Sequence, residues 1–563
     1  MLKKHFLLLT LLASALFFFC SLHYQYILSQ EDHGRDLYTF AQVSQGKHIY
    51  KDMWWEYGPL MPYYYALFDI LFGLKISSVL LGKAILNIFG CLFFYLASCE
   101  IMSTPWAFLS ACFFMLQQHD FFYTYNHIGG IALFLMLFWQ ILKYFRNGDQ
   151  KNIFLALGSC LLIGFIKINF GISALAATFL SIIIIEIIHS RLNKKKQRTK
   201  PFYLIGLLIV PLLWGIVYCF ILNGLTITEI NQCLPYFGDN KPIISTPLQS
   251  IKGYWTQNYI FFLTDWLSFL ESSILITQNP TQLLKPFVLL TCSIAVLKLF
   301  IYPLIFGSII SAFWISFTKK FKSRLLEFWL IQSVLWLFIV FNLHEYIVSN
   351  IWYRSFWSQP FLLFFCFFMI STAISFVPKF RFLAGGFFIS LFILVTINVW
   401  IVTKNSCTPD KFLKATTGQI YVGNESGWVS TFNEVTDYLN KNLKKDELFF
   451  AMPCGSLFYY LTNKPSPSRQ TIFFNLFHIT PQQELSVIRE LENKKVNYVL
   501  LSNRIKTKSP ELGEFGKSYC RLIYQYVGKN FIPFYSYGGN WNIPAGWANN
   551  HGVILLKRKP GAS

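Results

Sequence analysis

Five carboxylates, Glu31, Asp32, Asp36, Asp52 and Glu56, fall within 26 consecutive positions of a 563-residue chain that has 27 acidic residues in all. Residues 31–60 read EDHGRDLYTFAQVSQGKHIYKDMWWEYGPL and follow a long apolar run. A carboxylate at such a boundary can take the proton from a hydroxyl nucleophile as a new bond forms. Asp32 stands at a helix start, where Asp is a common cap. Glu31 reads as its solvated neighbour. Asp52, Glu56 and the adjacent Tyr57 could orient a substrate, and the two carboxylates could hold a metal or fix the turn at Gly58–Pro59.

Two isolated cations extend the set. Lys167 lies in GFIKINFGISAL (164–175) and Arg354 in WYRSFWSQPFLLFF (352–365). Both sit near the ends of apolar runs, where a charge is costly unless it is paired or reaches the interface. A lipid phosphate is a fitting partner for either. QQHDFFYTYNH (117–127) carries His119, Asp120 and His127, and LHEY (343–346) carries His344 and Glu345. These could line a polar site, and His119, His127 and Glu345 could ligate a metal, though the spacing is weak. Neither a Walker loop nor a GxGxxG context argues for a nucleotide.

The elements that must position these groups belong to a membrane. Mean hydropathy is +0.44, and 13% of residues are charged against about 25% for a soluble chain. Lys3 and Lys4 precede an apolar run from Phe6 to Leu28 that is longer than a signal core and lacks a small-x-small cleavage site, so it reads as an uncleaved first span. Further spans fall near 79–98, 105–118, 128–145, 152–166, 170–190, 202–222, 287–317, 325–343, 354–376 and 382–402, which makes about eleven. The run 287–317 is too long for one straight crossing. With a cytoplasmic start, the basic stretches 143–151, 191–200, 318–324 and 378–381 all fall inside, as the positive-inside rule requires. The net charge of +21 is therefore a topology signal and not a nucleic-acid footprint.

That topology puts the acidic stretch outside the cytoplasm, together with everything beyond residue 404. Leu37, Phe40, Ala41 and Val43 have helical spacing, which predicts a helix along the membrane surface. GPLMPYYYALFDILFG is a second apolar segment, too short to cross. After 404 an amphipathic helix followed by an apolar strand occurs twice, which predicts a small α/β domain over 404–563 beside a membrane domain over 1–403. Cys233, Cys407, Cys454 and Cys520 face outward on this reading and could pair.

One pattern is specific. Asp32-x-Gly34, then an aromatic and Ala41, Gly46-x-x-x-Tyr50-x-Asp52, and Gly58-Pro59-Leu60 with a tyrosine-rich run resemble the first outer loop of GT-C glycosyltransferases. The branch is that of protein O-mannosyltransferases and aminoarabinose transferases. His33 departs from the Asp-Glu usual in those enzymes. The segments around Lys167 and Arg354, and FFAMPCGSLFYYLTNKPSPSR in the tail, are similar to later parts of the family pattern. The resemblance implies an inverting transfer from a polyprenyl-phosphate sugar to a lipid, glycan or protein acceptor. It implies Asp32 as base and cations to hold the departing phosphate, which needs no acid. It allows a divalent metal without requiring one, and it places the protein in the inner cell membrane among membrane lipids.

A transporter or flippase of lipid-linked sugars is the rival. It would place polar groups near the bilayer midplane and often shows inverted repeats, whereas here they gather at one face without a repeat. A non-catalytic envelope scaffold would leave the acidic loop unexplained. A reporter fused after residue 404 should be active outside the cytoplasm and one fused at Lys195 inside. Activity of both on the same side overturns the span order.

Overall fold

The computed structural model describes residues 2–21, 25–26, 30–117, 125–191, 202–234, 323–343, 358–405, 407–422, 427–477, 479–505, 513–543 and 550–561. Helix α1 (Leu2–Ser21) leads to α2 (Asp32–Ser44) and α3 (Leu60–Phe72). Then come α4 (Ile76–Ile101), α5 (Thr104–Gln117), α6 (Tyr125–Asn147), α7 (Gln150–Ile166) and α8 (Ile168–Arg191). They are followed by α9 (Phe202–Ile221), α10 (Ile227–Cys233), α11 (Ser323–Asn342), α12 (Gln359–Phe376) and α13 (Arg381–Asn405).

This is an integral membrane protein. Four stretches, Ile76–Ile101, Tyr125–Asn147, Ile168–Glu186 and Arg381–Ile401, are long and apolar enough to cross a membrane, and shorter apolar helices accompany them. Their outer surfaces carry Phe382, Phe220 and Leu208 at 89%, 81% and 76% exposure, side chains that only lipid would cover. The expected spans overlap described helices, four of them long and apolar enough to cross, except that 287–317 and the first residues of 354–376 lie outside the described residues. The first differs in its end: α1 stops at Ser21, and Gln25–Tyr26 form strand β1, paired in parallel with Tyr421–Val422. The backbone partner that ends the span is thus almost four hundred positions away.

The last third is α/β. Strands β2 (Phe412–Leu413) and β3 (Ile420–Val422) join β1 in one small sheet, order β1-β3-β2. The second sheet has the order β4-β5-β7-β6, from β4 (Phe449–Met452), β5 (Tyr498–Ser502), β6 (Phe531–Gly538) and β7 (Gly552–Arg558). Helices α14 (Val429–Asn442), α15 (Ser456–Leu461), α16 (Pro481–Asn493) and α17 (Arg521–Asn530) complete it. The twice-read helix–strand order is α14 to β4 and α16 to β5, and those strands pair in parallel.

This α/β part is not a separate appendage. Trp54 N–H donates to Arg469 O at 3.0 Å, Ser466 N–H to Tyr38 Oη at 2.9 Å, and Gln483 Nε2 to Gln232 Oε1 at 2.9 Å. Helix α2 therefore departs from the expected surface helix: residues His33 through Val43 are all buried. At Gly34 an added Cβ would stand 2.6 Å from Leu457 Cβ and 3.0 Å from Leu457 N, so only glycine lets α15 approach this closely. The cysteines also differ from expectation: Cys233, Cys454 and Cys520 are buried with free thiols and pack in the interior, while Cys407 is exposed.

Gly34→Ala should force α15 off α2 and cost about 1–3 kcal/mol, the usual range for overpacking. Faster proteolysis within 427–505 and a lower melting temperature are the expected readings. Unchanged values would mean that the two helices separate freely.

Candidate active site

Helix α2 places Asp32, Arg35 and Asp36 at i, i+3 and i+4, on one face. Arg35 is 2% exposed. Its Nη2 and Nε donate to Asp36 Oδ1 at 2.9 and 3.1 Å, its Nη1 pairs with Glu56, and the same Nη1 lies 3.4 Å from Asp32 Oδ1. The guanidinium also lies 5.0 Å from the Tyr57 ring centre and 5.6 Å from that of Trp55. Such contacts favour a desolvated cation. Asp36 Oδ2 accepts from Tyr125 N–H at 3.2 Å and Asn126 Nδ2 at 3.5 Å, which ties α2 to the start of α6. Burial pushes the Asp36 carboxyl up to about 7 against the opposing pull of Arg35. Asp32 differs: its side chain is 60% exposed.

The loop carrying Glu56 is wedged against a break between two helices. Lys167 has extended backbone, φ −158° and ψ 122°, and separates α7 from α8. Gly58 N–H donates to Ile166 O at 2.7 Å, and a Cβ at Gly58 would stand 2.2 Å from Phe165 O. That contact brings Lys167 Nζ to 5.1 Å from the Tyr57 ring centre and 5.4 Å from that of Phe170. Burial, with Glu56 adding to it, holds the Tyr57 phenol well above its ordinary value, so it stays neutral. Asp32, Arg35, Tyr57 and Lys167 thus form one chain of contacts: an accessible carboxylate at one end, an ammonium at the other. Chemically such a row can accept a proton at Asp32 and bind an anion at Lys167.

Among the sequence-selected residues, Asp32, Glu56, Tyr57 and Lys167 come together. His127 joins them through its ring, 5.6 Å from Tyr57 and 6.0 Å from Phe170. Asp52 does something else. It is exposed, and its Oδ2 accepts from His48 N–H at 2.7 Å, holding the 48–52 turn. His119, Asp120, His344, Glu345 and Arg354 lie outside the described residues. Among the described residues no three His, Cys, Asp or Glu side chains gather as a metal group.

Two readings change. Glu31 is no solvated neighbour: it is 6% exposed and ion-paired with Arg504, because the α/β part covers the start of α2. No side chain caps that start, where Glu31 is the N-cap residue. Arg35 and Asp36 are the central pair; Asp36 was counted among the carboxylates without a role, and reasoning from carboxylates alone passed over Arg35. A lone arginine three residues after Asp32, among acids, was the available signal.

No protein-family model matches the chain, and no curated protein matches it. Solved structures give weak likenesses only, with TM-scores below 0.5. One is ArnT from Cupriavidus metallidurans bound to undecaprenyl phosphate, at 10% identity and TM-score 0.47, covering 97% of each chain. Another is the oligosaccharyltransferase AglB from Archaeoglobus fulgidus with an inhibitory peptide and a dolichol-phosphate. It has 12% identity and TM-score 0.49, with 98% of this chain and 76% of that one covered. The apo form of the Archaeoglobus fulgidus oligosaccharyltransferase gives 11%, 0.49, 97% and 76%. These likenesses concern overall arrangement and assign no role to any residue.

Arg35→Gln leaves Asp36 buried beside no cation. Breaking a buried pair costs roughly 3–5 kcal/mol. The variant's Asp36 has a folded pKa raised further above the unfolded value near 3.9, so its penalty is full above that raised pKa and fades as pH falls through it. Thermal unfolding should show a larger deficit at pH 8 than at pH 5. An equal deficit at both would remove Asp36 as the group left stranded.

Proposed function

We propose that the protein is an inverting glycosyltransferase that moves a sugar from a polyprenyl-phosphate donor to an envelope lipid, glycan or protein at the outer face of the membrane. The observation that carries this reading is the row from exposed Asp32 through Arg35 and Tyr57 to Lys167.

The chemistry follows from the row. An acceptor hydroxyl gives its proton to the Asp32 carboxylate as its oxygen attacks the anomeric carbon. The bond from that carbon to the phosphate oxygen breaks on the opposite side, which inverts the centre. Polyprenyl phosphate leaves as a stable anion, so a cation suffices and no acid is required. Lys167 is that cation, and Arg354 is a second candidate outside the described residues. Arg35 is less suited, being already engaged by Asp36 and Glu56. Glu56 and Tyr57 orient the donor through Arg35 and Lys167, His127 fixes the Tyr57 ring, and Asp52 acts only by holding its turn. A divalent metal is not needed for any step.

The experiment uses purified full-length protein in detergent, a panel of undecaprenyl-phosphate hexoses and pentoses, and an envelope extract as acceptor. Release of undecaprenyl phosphate is the readout. Asp32→Asn should lower transfer by about 100-fold or more while undecaprenyl phosphate still binds. Lys167→Gln should weaken transfer by about 10-fold or more, the loss of a charged hydrogen bond, and weaken undecaprenyl phosphate binding too. Parent-level transfer by Asp32→Asn would sink the base assignment; parent-level binding by Lys167→Gln would sink the phosphate role.

A further inference from the structure

Glu31 and Arg504, from the two ends of the chain, form an ion pair in which both side chains are buried. Desolvation offsets most of the attraction in such a pair, so it sets geometry more than it adds stability. Arg504 is itself firmly seated. Its turn follows β5, Asn503 Nδ2 donates to Asn550 O at 3.0 Å, Gly552 N–H donates to Asn503 Oδ1 at 3.0 Å, and Phe515 N–H donates to Ile505 O at 2.9 Å. His551 is buried, and burial together with Arg504 pushes it down to about 3, so it stays neutral and brings no competing positive charge.

On the other side, the Glu31 carbonyl accepts the Arg35 N–H at 2.8 Å, the first bond of α2, and no side chain caps that helix start. Asp32 is therefore the exposed residue next to one anchored outward, Glu31, and three positions before one anchored inward, Arg35. We propose that Arg504, acting through Glu31, is a positioning residue for Asp32, so that sugar transfer depends on how the outer α/β part is seated on α2. The inference rests on the reading of Asp32 as base and adds a dependence which that reading does not contain.

The test uses the full chain with the same donor panel and readout. The variants are Glu31→Gln, Arg504→Gln, Arg504→Lys and the double Glu31→Gln/Arg504→Gln, each also made on an Asp32→Asn background. Misplacing a reacting group by about 1 Å costs about 100-fold, so kcat should fall by roughly 10- to 100-fold in the first two, with KM for the donor changed by about twofold at most. Arg504→Lys should regain part of kcat. The double variant leaves no lone buried charge, so its melting temperature should recover while kcat stays low. On the Asp32→Asn background the extra loss should vanish, because both changes act through one group. Recovery of kcat along with stability in the double variant would make the pair purely structural and overturn the inference. So would an undiminished loss on the Asp32→Asn background. Normal transfer by Asp32→Asn alone would instead remove the base assignment, a failure distinguishable from the other two.

Discussion

A guanidinium at 2% exposure is the constraint on which the arrangement around α2 depends. Moving an ion from water into a low-dielectric interior costs of order 20 kcal/mol in the idealised limit and several kcal/mol in real proteins. Arg35 meets that cost with two strong carboxylate partners, Asp36 and Glu56, and two aromatic rings. Each partner then has to be held in place. Asp36 is held by the first peptide of α6, and Glu56 by a loop whose Gly58 is seated on the break between α7 and α8. Much of the topology around the first loop follows from keeping one cation buried.

The same constraint divides labour among the acids. Asp36 and Glu56 are neutralised by the guanidinium. Asp32, 3.4 Å from it and 60% exposed, feels the charge without being enclosed by it. A carboxylate that is to accept a proton from an incoming hydroxyl must be reachable, and only the residue at the rim is. The loop itself follows from local chemistry: Tyr50, at φ 67°, turns the chain, Tyr50 Oη donates to Tyr57 O, and Trp55 Nε1 donates to Gly58 O at 3.1 Å. These bonds stiffen the segment that presents Tyr57 to both cations.

Local pattern made part of this legible. Apolar runs marked most of the helices, because a membrane-crossing segment must satisfy its own backbone and needs a long apolar stretch to do so. The repeated helix–strand order marked α14, β4, α16 and β5, and the acidic stretch marked the segment that gathers around Arg35. The misreadings share one cause. Glu31 looked solvated, α2 looked like a surface helix, and α1 looked longer than it is. In each case the deciding partner, Arg504, Leu457 or Tyr421, comes from beyond residue 420. Periodicity reports the character of a face and not what covers it. Arg35 was passed over for a related reason: a single arginine among acids looks like a surface counter-ion until its burial is known.

The far end of α6 makes the contrast that gives burial its meaning. That helix has 23 residues and spans about 35 Å, so Tyr125 and Arg146 mark opposite ends of the bundle. Arg146 pairs with Glu327 there, and the two side chains are 39% and 36% exposed. It also donates from Nε to Glu100 O at 2.9 Å, stitching α4 to α6 and, through Glu327, to α11. An exposed pair of this kind contributes at most about 1 kcal/mol and needs no function to explain it. The cluster around Arg35 is different in kind. Three acids converge on one buried guanidinium, where apolar side chains of equal volume would be as stable or more so. Charges kept at such a cost, beside an accessible carboxylate at the rim, are the arrangement that the proposed transfer at that surface would use.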